Sequence, residues 1–169
     1  AGLAEVCHRH GVPLLVDNAH GAYLRFLSPS RHPMDLGADL CCDSAHKTLP
    51  VLTGGAYLHV SPTALAPYEH EARQAMALFG SSSPSYLILQ SLDACNRRLA
   101  DDYGAQMERV VLHLDALKAK LSAQGVPVRP GEPLKLVVDG WVTGLSGYEL
   151  ADLLRRSGVE PEYSDPDEV

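Results

Sequence analysis

The chain has 169 residues, of which 46% are hydrophobic and 21% are charged, a composition typical of an ordinary globular domain with a real core. Twenty-one acidic residues against fourteen basic ones give a formal net charge of −7. That balance argues against a surface that binds nucleic acid or anionic membrane, since both bind to clusters of lysine and arginine. The longest apolar runs are only a few residues, whereas a membrane-spanning helix needs ~20. We therefore expect a cytoplasmic protein with no membrane partner.

Four cysteines, at positions 7, 41, 42 and 95, form no CxxC pair and no plausible disulfide framework, which fits a reducing compartment. Histidine and cysteine do not occur at the spacing of zinc ligands, so no metal site is expected. The sequence opens on Ala1-Gly2 and stops at an acidic turn, from which we expect a piece of a longer protein.

Helix and strand alternate in the first part of the sequence. Residues 3–10 place apolar side chains on one helical face, which predicts a short helix. The apolar run 12–16, closed by Asp17, predicts a strand buried on both faces with a polar end. Residues 39–43 and 56–60 predict two further strands.

The later sequence predicts more helices. Ser-Pro pairs at 61–62 and 83–84 are typical helix starts, and apolar residues keep helical spacing from Met107 until Gly125. Residues 134–138 predict a strand. Ser146 and Glu149 form a Ser-x-x-Glu capping box, which predicts another helix start.

The alternation predicts an α/β fold with a mostly parallel sheet and flanking helices, in which ligands bind beyond the carboxyl ends of the strands. The Pro- and Gly-rich segment 125–133 is the best candidate linker. We therefore predict a partial large domain with its connecting helix over residues 1–124. Residues 125–169 are predicted to start a small α+β domain.

Two predicted strand ends carry reactive groups. Lys47 follows the second strand closely, and an amine in such a place is suited to forming a Schiff base. Asp17 would be a carboxylate buried at the end of the first strand, which costs several kcal/mol unless a positive partner compensates. A protonated pyridine nitrogen is such a partner. An amine and a carboxylate are the two protein groups that a pyridoxal phosphate enzyme needs.

The segments VPLLVDNAHGAY (12–23) and DLCCDSAHKTLPVLTGGAYL (39–58) resemble the large domain of fold-type I pyridoxal phosphate enzymes. The strongest likeness is to the Orn/Lys/Arg decarboxylase family in its shorter bacterial branch. Residues 81–93 and 144–167 resemble later segments of the same family, so the likeness covers nearly the whole chain.

The resemblance implies a role for each matching residue around the ring of pyridoxal 5′-phosphate. Lys47 would hold the cofactor as a Schiff base and later donate or accept a proton. Asp17 would keep the ring nitrogen protonated. Ala19 would pack under the ring, or simply pack at the strand end. His20 would hydrogen-bond the ring's 3-hydroxyl, or else cap the turn.

The resemblance also implies phosphate contacts. Ser44 and His46 would bind the phosphate, with Thr48 a weaker candidate. Ser82 and Ser83 lie in a segment that can approach the neighbouring subunit's phosphate, although Ser83 also reads as a helix N-cap. A homodimer or higher homo-oligomer follows from this two-subunit site.

The activity that the resemblance implies is decarboxylation of a basic amino acid, namely arginine, lysine or ornithine, as in polyamine biosynthesis. Transamination or acyl transfer with the same cofactor is an alternative, as is an inactive fragment or scaffold. The family's phosphate loop and ring-stacking residue precede the segment that opens this chain. We therefore expect the isolated chain to be a fragment with little or no activity.

Overall fold

The computed structural model describes residues 2–64 and 68–169, which form two compact units that divide between Glu108 and Arg109. The structure is mixed α/β, as the alternation of patterns predicted. Within the described residues, no helix combines the length and the apolar character needed to cross a membrane. The domain boundary at 124/125 stays a prediction.

A three-stranded sheet with the order β1-β2-β3 forms the centre of the first unit. Strands β1 (Leu15–Asp17) and β2 (Leu40–Asp43) are parallel, with Asp17 opposite Cys42. Strand β3 (Tyr57–Val60) runs antiparallel to β2. All three strands were predicted, but one of the two pairings is antiparallel, so the mostly parallel sheet expected from the sequence is not shown.

The prediction that β1 is buried on both faces is wrong. Leu15 is 62% exposed and Asp17 is also exposed. Within the described residues β1 pairs on one side only, and an edge strand leaves its outer side open to water. The buried strand is β2, where Cys41 and Asp43 are 1% and 3% exposed.

Helices precede and follow the strands along the chain. Helix α1 (Gly2–Arg9) confirms the first predicted helix. Helix α2 (Ala45–Thr48) is a single turn directly after β2. Helices α3 (Glu69–Phe79) and α4 (Tyr86–Leu99) follow β3, and the core of the unit includes Tyr23, Cys41, Ala45, Leu49 and Cys95.

The two Ser-Pro pairs do not start helices where predicted. Ser85, not Ser83, is the N-cap of α4, and the amide of Ser83 donates to Ser81 Oγ at 3.1 Å in a local turn that precedes the helix. The amide of Thr63 donates likewise to Ser61 Oγ at 3.2 Å, and α3 begins only at Glu69. Residues 65–67, where a helix from Ser61 would run, lie outside the described residues.

The long helix α5 (Tyr103–Ala123) confirms the helix predicted from the apolar spacing between Met107 and Gly125, and it crosses the division between the units. Past it, the second unit contains helices α6 (Gly140–Thr143) and α7 (Gly147–Arg156). Isolated bridges join Val128 to Val138 and Asp139 to Glu168.

The predicted strand at 134–138 is wrong, since among the described residues this segment contributes only the bridge at Val138. The facing segment carries Pro127 and Pro130, which have no backbone N–H and so cannot extend a ladder. The second unit is therefore held mainly by helices and turns.

The capping box at the start of α7 is confirmed. The amide of Glu149 donates to Ser146 Oγ at 3.3 Å, and the amide of Ser146 donates to Glu149 Oε2 at 2.8 Å. We predict that Ser146→Ala lowers the free energy of unfolding by about 0.5–2 kcal/mol, measured by chemical denaturation. Ser122→Ala, on the exposed surface of α5, is the control and should not destabilise the protein. Equal effects of both substitutions would contradict the capping role.

Candidate functional site

The carboxyl ends of β1 and β2 lie side by side. Asp17 and Cys42 are partners in the parallel register, and the amide of Asn18 donates to the Cys42 carbonyl at 2.9 Å. Residues 18–20 follow β1, and Ser44 with helix α2 follows β2. The sheet thus brings both reactive segments of the sequence to one edge.

Lys47 lies beside His20 at this edge. Lys47 Nζ is 3.4 Å from His20 Nε2, and both side chains are exposed. A neutral amine could accept from the imidazole, whereas an ammonium could donate to it. The structure therefore places an accessible primary amine within hydrogen-bond distance of a second group that can hold a proton.

The carboxylate of Asp17 is exposed, so the expectation of a buried carboxylate there is wrong. Its Oδ1 accepts a long contact of 3.8 Å from the thiol of Cys42. The physical reason is the edge position of β1, which leaves the end of the strand in contact with water. An exposed carboxylate remains able to meet a cationic ligand group.

His46 is oriented by its neighbour Gly55. The backbone amide and Nδ1 of His46 both donate to the Gly55 carbonyl, at 3.2 and 3.0 Å. This fixes the ring and leaves Nε2 as the nitrogen that can face a ligand. Ser44 is the N-cap of α2, but its hydroxyl makes no capping hydrogen bond, so it too can turn to a ligand.

The other predicted site residues, Ala19, Thr48 and Ser82, make no hydrogen bond within the described residues that points to a ligand. Ala19 is half-buried at the end of β1, as a residue beneath a ring would be, and simple packing gives the same burial. The hydroxyl of Thr48 is buried and has no hydrogen-bond partner within the described residues. Ser82 is exposed between α3 and α4, and no hydrogen bond of the described residues joins it to the strand ends.

Sequence reasoning missed a buried polar cluster beneath this edge, centred on Asp43. Asp43 Oδ2 accepts from His32 Nε2 and from His59 Nε2, each at 2.9 Å. Asp43 Oδ1 accepts from Asn18 Nδ2 at 2.7 Å and from the Cys41 thiol at 3.6 Å. These residues come from four segments of the chain, so no spacing in the sequence could have revealed the cluster.

The protonation of the cluster follows from its hydrogen bonds. His32 Nδ1 accepts from the amide of Met34 at 3.3 Å, so His32 Nε2 is the nitrogen that donates to Asp43. Burial alone would raise the pKa of Asp43, but hydrogen bonds from His32, His59 and Asn18 outweigh burial and hold the pKa well below its ordinary value. Burial and the adjacent Asp43 raise the pKa of the Cys41 thiol to about 12.

We predict that Asp43 makes stability depend on acid pH. The unfolded chain takes up a proton near the ordinary pKa of 3.8, whereas the folded protein resists it. The stabilisation is therefore complete above that pH and is lost as the pH falls further. Against Asp43→Asn, the native protein should be more stable by about 1.5–3 kcal/mol at neutral pH, and the gap should narrow between pH 4 and 2 in urea unfolding.

Glu149→Gln is the control for this prediction, because the pKa of Glu149 is also lowered by its hydrogen bonds to Ser146 but the side chain is exposed. The difference in stability between the native protein and Glu149→Gln should change less between pH 4 and 2 than the difference for Asp43→Asn does. A stability gap between the native protein and Asp43→Asn that stays constant down to pH 2 would contradict the prediction.

The sequence of the chain is similar to those of known proteins. Residues 2–136 match the family described as Orn/Lys/Arg decarboxylase, major domain. The chain is 34% identical to the uncharacterized protein YaaO of Bacillus subtilis over 182 aligned positions, which cover all of the chain and 38% of that protein. It is 29% identical to an arginine decarboxylase of B. subtilis and 27% identical to one of Bacillus cereus.

These two alignments cover 96% of the chain and 36% and 38% of the respective enzymes. The chain thus spans less than two-fifths of the length of these relatives. Since the family match covers most of the chain, including both strand ends and the residues between them, the chain belongs to the Orn/Lys/Arg decarboxylase family.

Proposed function

We propose that the protein containing this chain decarboxylates a basic amino acid, with pyridoxal 5′-phosphate held at the edge formed by the ends of β1 and β2. The observation that carries the proposal is the placement of Lys47 and Asp17 at the carboxyl ends of neighbouring parallel strands. In a chain of the decarboxylase family, an amine and a carboxylate that follow neighbouring strand ends support a binding site for one pyridine ring between them.

The donor set fits this cofactor. Lys47 supplies a primary amine for the aldehyde and Asp17 a carboxylate for the ring nitrogen, and both are exposed to an incoming ligand. Ser44 and His46 would hold the phosphate through a hydroxyl that caps no helix and a ring nitrogen not used by Gly55. The bound cofactor would act as an electron sink for the bond broken at the substrate's α-carbon.

The contact between Lys47 and His20 supports a role for this pair in moving a proton. The amine of Lys47 lies within hydrogen-bond reach of His20, at 3.4 Å. His20 can hold the amine in place and exchange a proton with it, and with the cofactor bound it would hydrogen-bond the ring's 3-hydroxyl. We assign Lys47 as the proton donor and acceptor at the reacting carbon.

Arginine is the first substrate to test among arginine, lysine and ornithine, because two of the relatives are named arginine decarboxylases. The net charge of −7 agrees with a substrate that carries an extra positive charge. We further propose a cytoplasmic homodimer in polyamine biosynthesis, in which Ser82 approaches the phosphate of the neighbouring subunit.

Transamination would call for a free arginine to bind the substrate carboxylate. Of the candidates Arg129, Arg155 and Arg156 in the second unit, Arg156 forms no ion pair within the described residues, whereas the other two are paired. Arg129 pairs with Asp139 and Glu168, and Arg155 pairs with Asp152 and Glu160. Both guanidinium groups are thus occupied by carboxylates of the chain.

The experiment is to express the complete reading frame, add pyridoxal phosphate, and supply carboxyl-labelled arginine, lysine and ornithine separately. We expect labelled CO₂ and the matching amine, with arginine turned over fastest. Formation of a keto acid without CO₂ would replace decarboxylation by transamination. Absence of any reaction from a protein that folds and binds the cofactor would favour the scaffold alternative.

We predict that His46 binds the phosphate in its imidazolium form, in which Nδ1 donates to Gly55 and Nε2 donates to the phosphate. In His46→Asn the new amide can still donate to Gly55 as Nδ1 does, but nothing replaces Nε2. Pyridoxal phosphate should bind about 10-fold or more weakly, the effect of one hydrogen bond to a charged group. Pyridoxal, which lacks the phosphate, should bind as it does to the native protein.

His46→Gln is the matched variant, because its longer side chain returns an amide to the place of Nε2. It should recover much of the phosphate affinity, as measured by cofactor fluorescence. Equal weakening of pyridoxal and pyridoxal phosphate binding in His46→Asn would contradict a phosphate contact.

A further inference from the structure

The two halves of the proposed site are tied together by one side chain that does not itself face the ligand. Asp43 immediately precedes Ser44 and lies four residues before Lys47. Its carboxylate is 3% exposed, and it accepts from Asn18, which lies next to Asp17 at the end of β1. A hydrogen bond of 2.7 Å thus links Asn18, which follows Asp17, to Asp43 at the end of β2, the strand that precedes the helix carrying Lys47.

The loop after β1 depends on this link. Asn18 is held through its backbone amide to Cys42 and through its side chain to Asp43. The carbonyl of Asn18 in turn accepts from the amide of Gly21 at 2.9 Å, which closes the turn that carries His20. Movement of Asn18 would therefore move the neighbours on both of its sides.

The other donors hold the carboxylate in place. His32 and His59 both donate to Oδ2, which leaves Oδ1 directed to Asn18 and Cys41. An ionised carboxylate has lone pairs for all of these donors. Hydrogen bonds to a charged acceptor are roughly twice as strong as neutral ones, and a buried network that satisfies every member is rigid.

We propose that Asp43 is a positioning residue that fixes the separation between the Asp17–His20 segment and the Ser44–Lys47 segment through its hydrogen bond from Asn18. The proposal rests on the proposed function for the identity of the ligand. The hydrogen-bonded arrangement itself is a property of the protein without ligand, which allows the two ideas to be tested separately.

The first test removes the hydrogen bond between Asn18 and Asp43 by substituting Asn18. In Asn18→Ala, made in the protein expressed from its complete reading frame, we expect amide hydrogen exchange at positions 18 and 21 to quicken without ligand. The dissociation constant for pyridoxal phosphate should rise about 10-fold or more. Asn96→Ala is the matched control, since Asn96 accepts from Tyr57 elsewhere in the first unit and should leave both readouts unchanged.

The second test reverses the polarity of the link. Asn18→Asp places two carboxylates against each other and should weaken cofactor binding more than Asn18→Ala does. Adding Asp43→Asn in the same chain supplies an amide that can donate to the new carboxylate. The double variant should bind the cofactor more tightly than Asn18→Asp does, with a dissociation constant within about threefold of that of Asn18→Ala or lower. A variant that merely lost stability would not recover affinity in this way.

The outcomes separate the two proposals. If Lys47→Ala leaves cofactor binding unchanged, the proposed function fails, while hydrogen exchange in Asn18→Ala still tests the link. The positioning role is overturned if Asn18→Ala changes neither exchange nor affinity, or if the double variant binds no better than Asn18→Asp. It is also overturned if the purified protein holds one equivalent of metal that Cys41→Ala removes, since His32, Cys41 and Asp43 offer ligand atoms within 4.8 Å of one another.

Discussion

Lys47→Ala is expected to abolish covalent attachment of pyridoxal phosphate and to reduce decarboxylation by at least about 10²–10⁴-fold, the part that proton transfer alone contributes. The physical reason is that alanine provides neither the amine that condenses with the aldehyde nor the group that returns a proton. Reduction of the loaded protein with borohydride, followed by mapping of the modified peptide, measures the attachment directly.

Two variants control for charge and for general effects on the protein. Lys47→Arg keeps a positive charge, but a guanidinium does not condense with an aldehyde under these conditions, so it should fail like alanine. Lys135→Ala removes an exposed lysine of the second unit and should leave labelling and activity intact. A borohydride label that maps to any residue other than Lys47 would remove the site assignment.

Asp17→Asn is expected to lower the decarboxylation rate by about 10- to 1,000-fold while leaving the cofactor attached to Lys47. A carboxylate close to a pyridine nitrogen raises the pKa of that nitrogen by about 1–3 units, because it favours the charged form. The neutral amide removes this preference, so a smaller share of the cofactor carries the protonated ring that withdraws electrons. Steady-state kinetics should show the loss in kcat.

Asp17→Glu tests whether charge or exact placement matters. The longer carboxylate keeps the charge and should retain more activity than the amide does. The absorbance of the bound cofactor reports the protonation of its ring independently of turnover. A rate for Asp17→Asn equal to that of the native protein would contradict the assignment of Asp17 to the ring nitrogen.

The strand ends show how far local sequence patterns reach. The apolar run before Asp17 and the run before Asp43 predict strands because they reflect contacts of neighbouring residues with a sheet, and both strands are present. The same patterns did not predict that Asp17 is exposed, because exposure depends on which strand lies at the edge. Order within a sheet is a long-range property.

The helix starts give the same lesson at shorter range. The capping box at Ser146 was predictable, because both of its hydrogen bonds join residues three positions apart. The Ser-Pro pair at 83–84 misled, because it lies in a local turn in which the amide of Ser83 donates to Ser81, and α4 begins only at Tyr86. A Ser-Pro pair is compatible with a local turn as well as with a helix start, and residue types alone do not decide between the two.

The sequence by itself determined the family likeness and the pair of segments that carry Asp17 and Lys47, because these depend on residue identity along continuous stretches. Only the tertiary structure brought His20 to Lys47, across 27 positions, and gathered His32 and His59 around Asp43. Such contacts form where the register of β1, β2 and β3 sets residues opposite each other. Register arises from the packing of whole elements, and no spacing within one element specifies it.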